Sequence, residues 1–189
     1  MELLSGIFSA FGLSASAGLN AYIPLLVVSL LARFTDLIEL QSPWDTLTSW
    51  WIIGALIVLG TIEFFADKVP AVNHINDIIQ TFVRPVAGAI AFAASAKVIT
   101  DMSPILSMGM GLLVAGSVHS VKSIAVRPAL TATTGGAANT PVSIAEDIIS
   151  TFLSILAILI PIIIGIILIL LTTTYIWWKW RKANAVKST

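Results

Sequence analysis

Apolar residues run along this chain in long blocks separated by short polar stretches, without the alternation that marks strands. The blocks are Leu3 to Phe34, Trp50 to Phe65, Val86 to Thr100, Ile105 to Val121 and Ile148 to Trp178. About 20 apolar residues cover the hydrocarbon core of a bilayer, and backbone in lipid must satisfy its own hydrogen bonds. The pattern therefore predicts an all-α, polytopic membrane protein of about five transmembrane helices, folded as a single domain. The first block is too long for one span. It contains Gly12, Ser14, Ala15, Ser16, Ala17, Gly18 and Asn20, with Pro24 following. Two readings stand: small residues that let helices pack closely, or a broken or re-entrant helix whose opened backbone lines a cavity. The first leaves the N-terminus outside, and the second returns it to the cytoplasmic side.

An internal repeat organises the rest. Asn76-Asp77-Ile78-Ile79-Gln80-Thr81-Phe82-Val83 aligns with Glu146-Asp147-Ile148-Ile149-Ser150-Thr151-Phe152-Leu153, identical at five of eight positions. Upstream, Gly60-Thr61-Ile62-Glu63 aligns with Gly116-Ser117-Val118-His119. Each unit (50–100 and 101–178) is expected to be an apolar helix, a polar loop and a second helix that opens with an acidic residue. Two spans per unit imply a parallel repeat about an axis along the membrane normal. The N-terminal broken helix and loop (1–49) precede the units, and a basic tail (179–189) follows them. That tail, reached through Tyr175 to Lys182, reads as an aromatic belt running into a cytoplasmic basic cluster. Arg33 and Lys97 then share its side. Lys68, Lys122 and Arg127 fall on the other, which implies a local role for them. The expected location is a bacterial inner membrane, multi-pass, with the C-terminus cytoplasmic. Met1-Glu2 is not the basic start of a cleaved signal peptide.

Composition sharpens the class. The 189 residues are 57% hydrophobic and 11% charged, with ten Lys and Arg against ten Asp and Glu, and a mean hydropathy of +0.97. Soluble domains carry roughly 25% charged residues. A disordered chain, a basic nucleic-acid partner and an ordinary soluble enzyme are thereby set aside. The absence of Cys removes disulfides, thiolate metal sites and thiol catalysis.

The few charges therefore stand out. Glu63, Asp67, Lys68, Asp77 and Arg84 sit in the first unit, and Lys122, Arg127, Glu146 and Asp147 in the second. Ionisable groups in a membrane are costly and face each other or a wet cavity. Glu63 and Asp67, four apart, share a helix face. Pro85 is expected to kink or end its helix and aim Arg84 sideways. Ser143-Ile144-Ala145-Glu146 fits a capping box that would start the last helix. The preceding stretch, Gly135 to Pro141, is expected to be a loop offering backbone groups and the Asn139 amide. His119, at the repeat position of Glu63, is a candidate proton carrier or metal ligand, though a satisfied interior histidine is the commoner outcome. Glu63, Asp67, His74, Asp77 and His119 would suit a hard metal ion, but their spacing matches no compact metal motif. No cofactor motif and no nucleophile elbow occurs, so no enzyme activity and no cofactor are expected.

The chain resembles the bacterial integral-membrane family called domain of unknown function 4126. The likeness rests on Ser16-Ala17-Gly18-Leu19-Asn20-Ala21-Tyr22-Ile23-Pro24, on Glu63 through His74, and on Arg84-Pro85-Val86-Ala87-Gly88-Ala89. It continues in His119-Ser120-Val121-Lys122 and in Asn139 through Asp147. It implies a small multi-span protein and supplies no activity. The preferred function is passage of a small polar solute or ion through a charged intramembrane site, with a proton-coupled carrier as the best fit and a metal-ion carrier second. The site would comprise Asn20, Glu63, Asp67, Lys68, Asp77, Arg84, His119, Lys122, Arg127, Asn139, Glu146 and Asp147. Alternatives are a non-transporting scaffold whose charges specify helix packing, or a flippase-like handler of lipid headgroups. Expected partners are membrane lipids, the solute and a second copy of the chain. Gly109, Gly111 and Gly116 would allow close packing within or between subunits.

Overall fold

The computed structural model describes residues 2–68, 70–96 and 103–159, with Leu170, Thr173, Thr174, Trp177 and Arg181. Lys97, the fifth block beyond Leu159 and most of the aromatic and basic tail lie outside the described residues, as does the side chain of His74. Among the described residues every regular element is helical. They are α1 (Glu2–Leu19), α2 (Tyr22–Phe34), a 3₁₀ turn (Trp44–Thr48), α3 (Trp50–Ala66), α4 (Pro70–Ala96), α5 (Pro104–Ser120), a π turn (Val121–Val126), α6 (Arg127–Thr134) and α7 (Asn139–Leu159).

Three stretches are long and apolar enough to cross a membrane: Ile75–Ser95, Pro104–Thr134 and Asn139–Leu159. Gly6–Leu19, Tyr22–Phe34 and Trp50–Ala66 are shorter apolar helices. The outer surface carries large exposed apolar side chains such as Trp51, Phe82, Ile105, Leu113, Ile124 and Phe152. Both features are compatible with a membrane protein.

The first block does break. α1 ends at Leu19, Asn20 and Ala21 leave the helix, and Asn20 Oδ1 accepts from the N–H groups of Tyr22 (3.1 Å) and Ile23 (3.0 Å) to cap α2. The contacts set the directions. Ser9 bonds to Ala157 O, Ser16 to Ser150 and Ser154, and Asn20 to Asp147, so α1 runs antiparallel to α7. Ser14 bonds to Gly111 O and Gly18 abuts Val118, so α1 runs parallel to α5. α2 begins beside Gly60 of α3 and ends where Arg33 Nη1 donates to Thr48 O at 2.6 Å and lies over Trp50, beside the start of α3. α2 therefore turns back along the bundle, so the first block is a broken helix. The close packing of the other reading is present as well. A Cβ on Gly18 would meet Val118 at 2.6 Å, one on Gly12 would meet Ala157 at 2.7 Å, and one on Gly88 would strike Ala115.

Several expected boundaries move. The second helix of the first unit, expected to open at Asp77 and to kink or end at Pro85, starts at Pro70, so Asn73 and His74 are helical rather than loop, and α4 continues through Pro85 to Ala96 and takes in the block expected from Val86. The apolar face formed by Ala87, Ala91 and Phe92 continues the stripe of Asn76, Gln80 and Arg84, and burial of that whole stripe outweighs the single lost backbone bond. The fourth block extends past Val121 to Thr134. Gly135, at φ 62°, closes α6 in the left-handed conformation that favours glycine. α7 starts at Asn139, so Asn139, Thr140 and Pro141 lie in its first turn and the expected loop shrinks to 135–138. The capping box does not form: Ser143 and Glu146 are inside α7, and Glu146 turns to Lys122 instead. Gly111 serves packing within the chain against Gly88 and Ala89, Gly116 sits 3.7 Å from Pro85, and Gly109 has open space beside it.

Candidate functional site

The α1–α2 turn, the C-terminal ends of α3 and α5 and the N-terminal parts of α4 and α7 meet at one end of the bundle. Their polar side chains form one buried network. Arg84, with no exposed surface, reaches Glu63 Oε1 through Nη2 (2.9 Å) and Nε (3.2 Å), and Asp67 Oδ2 through Nη2 (3.3 Å). Glu63 and Asp67 thus share a face, as their spacing predicts. Arg127 bridges Asp67 (3.0 Å) and Asp77 (2.9 Å), and lies 3.9 Å from Glu146. Lys122 pairs with Glu146 (2.7 Å) and Asp67 (3.4 Å). Lys68 pairs with Asp147 (2.7 Å), whose other oxygen accepts from Asn20 Nδ2 (2.9 Å).

The π turn explains how Lys122 and Arg127 reach the same acids. Residues five apart face different sides of an α-helix, whereas the i→i+5 geometry of a π turn returns them to one side. The α1–α2 turn is held by charge as well. Lys122 Nζ donates to Leu19 O at 3.2 Å, at the negative end of α1, and Ala21 N–H donates to Glu63 Oε2 at 3.2 Å, at the positive end of α2. His119 lies between the halves. Arg84 Nη1 is 3.2 Å from its Nδ1, and a guanidinium only donates, so Nδ1 accepts and the ring is neutral. Its Nε2–H then points to Thr81 Oγ1 at 3.2 Å.

Burial alone would push the Asp67 carboxyl up. Lys122, Arg84 and Arg127 around it, with an Asn76 amide at 2.6 Å, instead hold it at about 2, below its ordinary 3.8. By formal count five carboxylates (Glu63, Asp67, Asp77, Glu146, Asp147) meet four cations (Lys68, Arg84, Lys122, Arg127), one formal negative charge in excess.

Of the residues expected at the site, Asn20, Glu63, Asp67, Lys68, Asp77, Arg84, His119, Lys122, Arg127, Glu146 and Asp147 come together. Asn139 does not join them: its amide donates to Thr131 Oγ1 at 3.1 Å in the α6–α7 hairpin. Asn76, Gln80 and Ser143 belong to the buried face and were not expected there. The repeat carries the signal for Asn76, which aligns with Glu146. Among the described residues no three His, Asp or Glu side chains are arranged to hold a metal ion. Glu63 and Asp67 are taken by cationic side chains instead.

Two grooves flank the helix turn. One, of about 440 Å³, lies between α2 and α3, with Asn20, Tyr22, Gly60, Phe64 and Phe65 in its walls. The other, of about 350 Å³, runs between α5 and α7 past Leu19, Val118, Lys122 and Glu146.

Fold and site together define a class: an all-helical protein with helices of membrane-crossing length that converge on a buried ion-pair network at a helix turn. Within that class, residues 7–181 match the family profile "Domain of unknown function (DUF4126)", and the chain belongs to that family. Comparison with curated proteins and with solved structures gives no match.

Proposed function

We propose that the chain is an integral membrane transporter for a small polar solute or ion, with the network at the α1–α2 turn as its coupling site. The observation that carries this reading is the turn itself. Two helix ends, five carboxylates and four cations converge there, and Arg84, Lys122 and Arg127 each lie near more than one acid. A discontinuous helix whose ends face a polar site is a recurrent device for binding ions and solutes. Arg127 and Lys122 each lie within 4 Å of two or more carboxylates, so a local shift of α6 or α7 can exchange partners without stranding a charge.

The proposal includes a parallel repeat of the two units, which would supply an alternating motion. Asn76, Gln80 and Arg84 are buried, as are Glu146, Ser150 and Ser154, whereas Ile78, Ile79 and Phe82 are exposed, as are Ile148, Ile149 and Phe152. The ion pairs cross between units: Lys68 of the first holds Asp147 of the second, and Arg127 of the second holds Asp77 of the first. Arg33 lies at the opposite end of the bundle from the network. By the positive-inside rule that end is cytoplasmic, in keeping with a cytoplasmic C-terminus in a bacterial inner membrane. The proposal includes a homodimer, checked by mass photometry in nanodiscs.

The test uses proteoliposomes loaded with a pH-sensitive dye and given a panel of amino acids, polyols and monovalent salts under an imposed pH gradient. The parent should move protons with at least one of these, and Asp77→Asn and Asp147→Asn should abolish that movement while still folding. Loss of folding in both variants, with no substrate-dependent effect in the parent, returns the charges to helix packing. A second reading, lipid-headgroup handling, is favoured by the two lateral grooves that reach Asn20 and the Lys122–Glu146 pair. Translocation of a fluorescent phospholipid by the parent, lost in Lys122→Gln, would select it.

A further inference from the structure

Helical hydroxyls in this protein have a common habit. Ser29, Thr61, Thr81, Ser117 and Thr151 each donate to the carbonyl four residues back, at 2.7–2.8 Å. Ser143 of α7 departs from it. Its exposure is 1%, and its Oγ has no hydrogen-bond partner among the described residues. Buried polar atoms are almost always paired, so one without a partner calls for an explanation.

Its surroundings offer one. Glu146 and Asp147 follow three and four residues later on the same buried face. Helical side chains lean toward the N-terminus, which is the side of α7 on which Ser143 lies relative to both acids. Thr140, one turn before, donates to Lys68 O at 3.3 Å, which turns that side of α7 to the α3–α4 connection. Ser143 therefore shares the buried face of α7 with two carboxylates that Lys68 and Lys122 hold from neighbouring elements. The remaining groups facing these acids are Asn20 from the α1–α2 turn and Arg127 from the start of α6.

We propose that Ser143 Oγ, with the carboxylates of Glu146 and Asp147, forms a site for one small oxygen-coordinated monovalent cation, sodium or hydronium. A hydroxyl oxygen and carboxylates are hard donors suited to such ions, and a single positive charge cancels the excess of five carboxylates over four cations. Lys68 already holds Asp147, so ion and ammonium compete for that carboxylate, and uptake of the ion releases Lys68. The proposal rests on the transport reading, to which it adds the coupling ion.

The test needs no flux. The full chain in detergent is melted by tryptophan fluorescence in NaCl, KCl or choline chloride at constant ionic strength, from pH 6 to 8, as parent, Ser143→Ala and Ser143→Thr. A midpoint that rises saturably with sodium identifies sodium. A midpoint that rises with falling pH, whatever the salt, identifies hydronium. In either case Ser143→Thr should respond like the parent, and Ser143→Ala should need at least tenfold more of the ion. A parent that responds to neither ion overturns the site. So does a Ser143→Ala variant that responds like the parent, or one whose midpoint rises equally in every medium, the mark of a merely unpaired hydroxyl. Should Ser143→Ala fail to fold, Lys68→Gln decides: release of Asp147 must tighten uptake of the ion at least tenfold, and unchanged uptake overturns the proposal. Absence of transport with a cation response retained would sink the transport reading alone. A cation-independent flux would sink this site alone.

Discussion

The two halves of α4 present one continuous buried face to their neighbours and solve the packing problem in opposite ways. From Asn76 to Arg84 the face is polar, and it is held by Asp67, Glu63 and His119 from other helices. From Ala87 to Ala94 it is almost all alanine and glycine, with Phe92 against Ala10 and Met110. Gly88 and Gly111 let the backbones of α4 and α5 approach so closely that a Cβ on either would collide. Lipid tails are as apolar as the core, so burial alone does little to drive helices together in a membrane. Close backbone contact supplies that drive in one half, and charge pairing supplies it in the other. The small-residue half offers one well-packed geometry. The charged half, with cations shared between acids, offers more than one.

Substitutions at the two ends of this face should separate the mechanisms. Arg84→Gln should have the largest effect, because it strands Glu63 and part of the support of Asp67 without water. Removing one member of a buried pair costs about 3–5 kcal/mol. A Glu63→Gln/Arg84→Leu double variant should recover much of that in a detergent melt, and failure to recover would mean that the arginine acts through packing. Gly88→Val comes next. Overpacking costs about 1–3 kcal/mol, whereas Gly109→Val, at a position with open space, should stay within about 0.5 kcal/mol of the parent. Equal effects at the two glycines would refute the close approach.

Ser16→Ala removes the hydroxyl shared with Ser150 and Ser154 at 2.8 and 2.7 Å. Interhelical bonds of this kind are worth about 0.6 kcal/mol in membranes, so a loss above about 2 kcal/mol would show that the seam does more than join α1 to α7. The smallest change at neutral pH comes from titration. Asp67 is held below its ordinary value, so its stabilising contribution is complete well above 3.8 and fades as the pH falls toward about 2. A denaturation series from pH 5 to 2 should show the parent losing stability in that window and Asp67→Asn, already lower at pH 5, losing less. A parallel loss in both would place the acid sensitivity elsewhere.

The sequence announced the charged half better than the small-residue half. Charges are rare in this chain, so Glu63, Asp67, Arg84, Lys122, Arg127, Glu146 and Asp147 were conspicuous as a set, and the structure gathers them. The break at Asn20 was legible because small and polar residues interrupt an apolar run. Helix boundaries were less so. Asn73, His74 and Asp77 look like a loop running into a helix start, yet Asn76, Gln80 and Arg84 of the same helix are buried among other polar groups, so polarity marked an interior rather than a surface. Ser143 and Glu146 fit a capping pattern, but Lys122 competes for the glutamate, and Lys122 arrives through a π turn that no local pattern encodes. Ser143 was read for its place in a motif and is notable for the bond it does not make.

That π turn has a consequence for how the segment tolerates change. Between Val121 and Val126 the side chains of Val121 and Ile124 point outward and are exposed, so exchange for other apolar residues should matter little. The number of residues is a different matter. Each residue turns a helix by about 100°, so a one-residue deletion that restored the ordinary helical register would swing Arg127 away from Asp67 and Asp77 and carry the α6–α7 hairpin round with it. The segment acts as a spacer whose length is the constrained quantity and whose spelling is largely free, and an alignment gap placed there would cost the protein more than most substitutions.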